Sequence, residues 1–99
     1  MTNEQLYLYY NKIQLINNVV HDILDLSSIN CNIYFGLLYM KKNLIEYIYS
    51  FLKNKECIYN NEKYIIILID SKGIITITNN MEGHVKNDLK VLLNEVTLL

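Results

Sequence analysis

A chain of 99 residues, 52% hydrophobic and 19% charged with a formal net charge of −1, has room for one domain with a limited core. Near-neutral charge argues against bulk nucleic-acid binding, which needs a cationic surface. No basic segment precedes an apolar core at the N-terminus, and the apolar run from Ile29 to Leu52 is interrupted by Lys41 and Lys42, so neither a signal peptide nor a membrane span is expected.

Cys31 and Cys57, without a secretory signal, are expected to be reduced thiols in a cytoplasm. The chain has no Pro, Trp, Ala or Arg and is rich in Asn, Ile, Tyr and Lys, the profile of an AT-rich genome. Low-GC bacteria, their phages and mobile elements, and some large DNA viruses share it. For so small a chain the apolar content is high, which points to an oligomer, with a homodimer as the expectation.

In chain order, Thr2 with Gln5 forms a capping box that opens a helix expected over Asn3 to Leu26. Leu6, Tyr9, Ile13, Ile16, Val20 and Ile23 recur in steps of three and four, a seam that Tyr10, Val19, Leu24 and Leu26 widen. Ser27-Ser28 breaks the pattern and caps a second helix over Ile29 to Lys55. Two stripes run along it: Ile33, Leu37, Met40, Leu44, Tyr47 and Phe51, then Tyr34, Leu38, Ile45, Ile48 and Leu52. Apolar side chains cover more than half of its circumference, so it is expected to be the central helix. Gly36 marks a kink or an early stop.

Glu56 to Glu62 reads as a loop with a turn at Asn60-Asn61. Lys63 to Asn79 reads as a β-hairpin, because Ile-rich runs flank Asp70-Ser71-Lys72-Gly73, a type I turn closed by Gly in a G1 bulge. Ile69 then pairs with Ile75 and Asp70 with Ile74. That register puts Ile65, Ile67, Ile69, Ile75 and Ile77 on a core face, and Tyr64, Ile66, Leu68, Ile74, Thr76 and Thr78 on the other. The first strand is left with an open outer edge, so Tyr64, Ile66 and Leu68 are expected at an oligomer edge formed by strand addition. Glu82 to Val96, capped by Asn79 or Asn80 and with Val85, Leu89, Leu92 and Leu93 inward, reads as a last helix. The expected fold is α+β, ordered ααββα, a single domain over residues 1–99 with helices on one face of a small antiparallel sheet.

Chemistry-bearing residues are few. His21 with Asp25, and His84 with Asp88, have the spacing that places a carboxylate beside an imidazole on one helix face. Neither pair has a nucleophile nearby in sequence, and surface pairs are the expectation. Cys31, Cys57, His21 and His84 lack metal-ligand spacings, and Gly36, Gly73 and Gly83 are too isolated for a phosphate-binding loop. No catalytic residue, metal or cofactor is expected.

Nine tyrosines are the most suggestive feature: Tyr7, Tyr9, Tyr10, Tyr34, Tyr39, Tyr47, Tyr49, Tyr59 and Tyr64. Tyrosine gives a large contact area with few rotatable bonds. Tyr7, Tyr9, Tyr10, Tyr49 and Tyr59, with Lys41 and Lys42, are therefore the expected partner-binding residues. Residues 41–63 carry a local +2, from Lys41, Lys42, Lys53, Lys55 and Lys63 against Glu46, Glu56 and Glu62, whereas residues 1–40 carry −2. The expected function is a small non-enzymatic protein–protein interaction module, such as an inhibitor or accessory protein of a phage or mobile element, an anti-CRISPR being one form. The alternative is a small dimeric DNA-binding regulator with the hairpin as a wing.

Overall fold

The computed structural model describes residues 1–24, 31–79 and 87–99. Among them the chain folds as helix α1 (Asn3–Leu24), helix α2 (Cys31–Leu52), strands β1 (Glu56–Tyr59), β2 (Glu62–Ile69), β3 (Ile75–Asn79) and β4 (Asn87–Val91), a 3-10 turn at Leu93–Glu95, and strand β5 (Thr97–Leu98). The strands form one antiparallel sheet in the order β4-β3-β2-β1-β5. The class is α+β as expected, with two α-helices and five strands among the described residues in place of ααββα. No described helix is long and apolar enough to cross a membrane.

The capping box forms in both directions. Gln5 N–H donates to Thr2 Oγ1 at 3.2 Å, and Thr2 N–H to Gln5 Oε1 at 2.9 Å. Helix α1 buries Leu6, Tyr10, Ile13, Ile16 and Val20, and the expected seam residue Tyr9 lies half-buried at its border. Helix α2 runs unbroken through Gly36 and buries its second stripe, Ile45, Ile48 and Leu52. It stops at Leu52 because Asn54 takes a left-handed φ of 64° just beyond it, and Asn54 N–H then bonds Ile66 O at 2.8 Å on the middle strand. Asp25, Leu26, the Ser27-Ser28 cap and Ile29 lie outside the described residues.

The helices run antiparallel. Tyr9 meets Tyr47 and Asn17 meets Lys41, so the index falls on one helix as it rises on the other. Both contribute to one core with the inward side chains of the sheet: Cys57 on β1, Tyr64 and Ile66 on β2, Ile75 and Ile77 on β3, Val91 on β4, and Leu98 on β5. These strand residues sit at alternate positions and share one face.

Three expectations are corrected. Glu56 to Tyr59 is a strand and not a loop. It closes onto β2 through Asn60 (φ 50°) and Asn61 (φ 64°), with Tyr59 opposite Glu62. Two consecutive left-handed residues make a type I′ turn, whose twist matches a tight hairpin, and Asn tolerates that conformation. Strand β2 therefore has β3 on one side and, along Glu62–Ile65, β1 on the other, so the edge expected to be open is paired over its first half. Tyr64 and Ile66 are buried in the core and Leu68 is exposed on the outer face. The actual edges are the charged β4, with Asp88 and Lys90, and the two-residue β5, both of which discourage strand addition.

The second correction concerns the sheet face. Near the turn the register is as expected: Ile69 pairs with Ile75, and Asp70 N–H bonds Ile74 O. A bulge at Ile67 then slips it by one residue, so Ile66 pairs with Ile77 and Ile65 with Thr78. A one-residue slip reverses every side chain beyond it. Tyr64 and Ile66 thus face the core and Ile65 is only half-buried. The bulged residue's carbonyl is satisfied by the Tyr49 hydroxyl at 3.0 Å.

Third, the described part of the expected last helix is not α-helical: Asn87–Val91 is strand β4, and only the 3-10 turn Leu93–Glu95 is helical. Leu89 and Val91 point toward the core from β4, and Asp88 and Lys90 are exposed. Asn80, Glu82, Gly83, His84 and Val85 lie outside the described residues.

Candidate interaction surface

The expected tyrosines are first placed by their hydroxyls. Tyr7 donates to Val96 O at 2.7 Å and accepts from Leu98 N–H at 3.0 Å, which fastens the C-terminal strand to α1. Tyr10 is fully buried and donates to Gly73 O in the β2–β3 turn; burial pushes its phenol above the ordinary range. Tyr49 serves the bulge. Tyr59 stacks edge-on against Tyr64 with ring centroids 6.1 Å apart. These side chains hold the fold together, and each has a partner within the chain. Lys41 donates to Asn17 Oδ1 at 3.1 Å between the helices, and Lys42 is exposed beside it. The two lysines line a half-open cleft of about 410 Å³ with Leu38, Ile45, Ile69 and Asp70.

The β2–β3 hairpin lies between β1 and β4 and does not project as a wing. Lys53 and Lys55 follow the end of α2. Of the His–Asp pairs, Asp25 and His84 lie outside the described residues. Cys57 is buried and unpaired, with its thiol pushed upward by desolvation. Among the described residues no three His, Cys, Asp or Glu side chains gather where they could hold a metal ion.

A different set of side chains remains uncovered. On α2 the stripe Ile33, Leu37, Met40, Leu44, Tyr47 and Phe51 follows steps of four and three, which is the heptad seam of a coiled coil. Leu37 and Leu44 are half-buried. Ile33 is 54% exposed, Met40 53%, Tyr47 49% and Phe51 41%. On α1, Leu8, Leu15 and Val19 are 56%, 62% and 36% exposed. They occupy one face by their spacing of seven and four, and that face lies away from the buried Leu6–Tyr10–Ile13 stripe. The same spacing separates Met40, Tyr47 and Phe51.

The two stripes meet at Tyr9. Its ring packs edge-on against Tyr47 at 5.9 Å, Tyr47 packs against Phe51 at 5.4 Å, and Lys12 Nζ lies 5.1 Å from the Tyr9 centroid. Antiparallel pairing puts Leu15 level with Met40 and Leu8 level with Tyr47 and Phe51. The helical layer therefore has one apolar side packed on the sheet and a second apolar side turned to solvent. The α2 stripe was visible in the sequence; its exposure was not, because periodicity alone does not say which of two apolar stripes meets the sheet.

No protein-family model, no curated protein and no solved structure matches the chain.

Proposed function

We propose that the chain is a non-enzymatic protein–protein interaction module, of the inhibitor or accessory kind, and that it docks through the outer face of its helical layer. The observation that carries this reading is the exposed stripe of Leu8, Leu15, Val19, Met40, Tyr47 and Phe51. Large contiguous apolar patches on a folded surface mark interaction sites, and aromatic and methionine side chains are the types enriched where binding energy concentrates. Of the expected tyrosines, Tyr7, Tyr10 and Tyr49 are engaged with backbone groups, whereas Tyr9 borders the stripe beside Tyr47.

Affinity capture tests the reading. A tagged wild-type chain and a Leu15→Glu/Met40→Glu variant are recovered side by side from the cells that encode the protein, and every retained chain is identified, an untagged second copy included. Wild type should retain a protein that the variant loses. Retention of nothing, or equal retention by both, contradicts the docking face.

A further inference from the structure

We propose that the occupant of this face is a second copy of the same chain, the two helical pairs packing face to face about a twofold axis into a four-helix arrangement. The proposal rests on the docking-face reading above and names its partner.

Three features favour a second copy. The first is self-complementary spacing. A twofold interface is made of one patch used twice, so that if residue i touches residue j, j also touches i. Leu8, Leu15 and Val19 on α1 repeat the spacing of Met40, Tyr47 and Phe51 on α2. Side chains of one stripe therefore find gaps of matching period on either helix of the other copy, the knobs-into-holes condition of helical bundles.

The second is size. Both helices span 22 residues, so two pairs can align along their full length. The six exposed side chains present on the order of 600 Å² of surface, the upper end of what a monomer carries as its largest apolar patch. A stable, specific interface takes roughly 800 Å² per partner, so the stripe supplies most of what a dimer needs.

The third is charge. Ionic side chains along the stripe are few and of both signs: Lys12 leans over Tyr9, and Glu4 and Asp22 stand at the two ends of the α1 stripe. The chain carries a net charge of only −1, so two copies meet with little repulsion. The sheet edges offer no rival route, because β4 is charged and β5 is two residues long.

Sedimentation equilibrium on the purified full chain tests the proposal, comparing wild type with Leu15→Glu/Met40→Glu. Wild type should show twice the chain mass at micromolar concentration, and the variant one chain mass with its helical signal and cooperative melting intact, a loss of at least a hundredfold in self-affinity. Should the double variant not fold, the milder Leu15→Ser and Tyr47→Ser variants are read in its place, together with the wild-type melting temperature against concentration. That temperature should rise with concentration for wild type and stay flat for the variants. A wild type that stays monomeric at high concentration, or a variant that stays dimeric, overturns the proposal. A monomer whose stripe captures a foreign protein removes the second copy and leaves the docking face standing; a monomer that captures nothing removes both.

Discussion

The inner and outer sides of the helical layer are built from the same materials and end differently. On the inner side, Leu6, Tyr10 and Ile13 of α1 and Ile45, Ile48 and Leu52 of α2 are covered by the sheet, and the one buried hydroxyl among them reaches a backbone carbonyl in the β2–β3 turn. On the outer side, Leu8, Leu15, Met40, Tyr47 and Phe51 keep the same helical spacing and nothing in the chain covers them among the described residues. A heptad pattern is a statement that a face is to be covered; the tertiary structure decides whether the cover is internal. Truncating each side should therefore have separable consequences, on folding for the inner stripe and on association for the outer.

The largest effect is expected from Ile48→Ala. Ile48 is fully buried, and losing a buried branched side chain removes its transfer energy and leaves a cavity, about 2–5 kcal/mol of stability. Chemical denaturation at high dilution should show this, while Leu15→Ala in the same assay should change stability by no more than about 0.5 kcal/mol, as exposed positions do. Equal losses would erase the distinction between the two faces.

Gly73→Ala sharpens the inner side next. Gly73 has φ of 85°, and a Cβ there would lie 3.2 Å from Ile13 Cγ2 and 3.1 Å from Gln14 Nε2. Left-handed strain and the press against α1 should together cost about 1–3 kcal/mol by the same denaturation measurement. A neutral effect would mean that the turn is not seated on α1.

A smaller loss is expected from Tyr10→Phe. The ring still fills its place in the core, but Gly73 O loses its donor inside the fold, a change of about 1–2 kcal/mol. The corresponding change on the outer side, Tyr47→Phe, should leave monomer stability within about 0.5 kcal/mol of wild type.

How much of this was legible follows from the same contrast. The capping box, both helices and the Asp70–Gly73 turn could be read because each rests on a local rule. The Asp70 carboxylate accepts from Lys72 N–H and Ile74 N–H at 2.9 Å each, and Gly73 N–H closes the turn on Asp70 O at 3.0 Å. The bulge could not be read, because Ile65 to Ile69 is apolar at every position and a period of two has no phase in such a run. β1 was hidden by its length, four residues with Cys57 alone fully buried; the signal available was Asn60-Asn61, a pair suited to consecutive left-handed conformations. At the C-terminus Leu89, Leu92 and Leu93 fit a helix, but Leu89 and Val91 fit a strand equally well, and pairing with β3 decided it. The outer stripe was legible as a pattern and its exposure only from the fold.

Alkaline pH gives the smallest and most graded effect. Burial raises the folded-state pKa of the Cys57 thiol above its ordinary 9.0 and of the Tyr10 phenol above its ordinary 10.0. Both groups are neutral when folded and ionise first in the unfolded chain. Their contribution to stability is complete below the unfolded values and is lost as pH rises through the folded ones. Denaturant midpoints should hold steady to about pH 9 and then decline, and a thiol reagent should reach Cys57 only as the chain opens.

Hydroxyl-radical footprinting of the purified chain, dilute against concentrated, most directly tests whether a second copy covers the outer stripe. Met40, Tyr47 and Phe51 should become several-fold less reactive as concentration rises. Tyr39 and Phe35, exposed on another side of α2, should not change. Uniform reactivity at all concentrations, or equal protection of Tyr39 and Phe35, would contradict it.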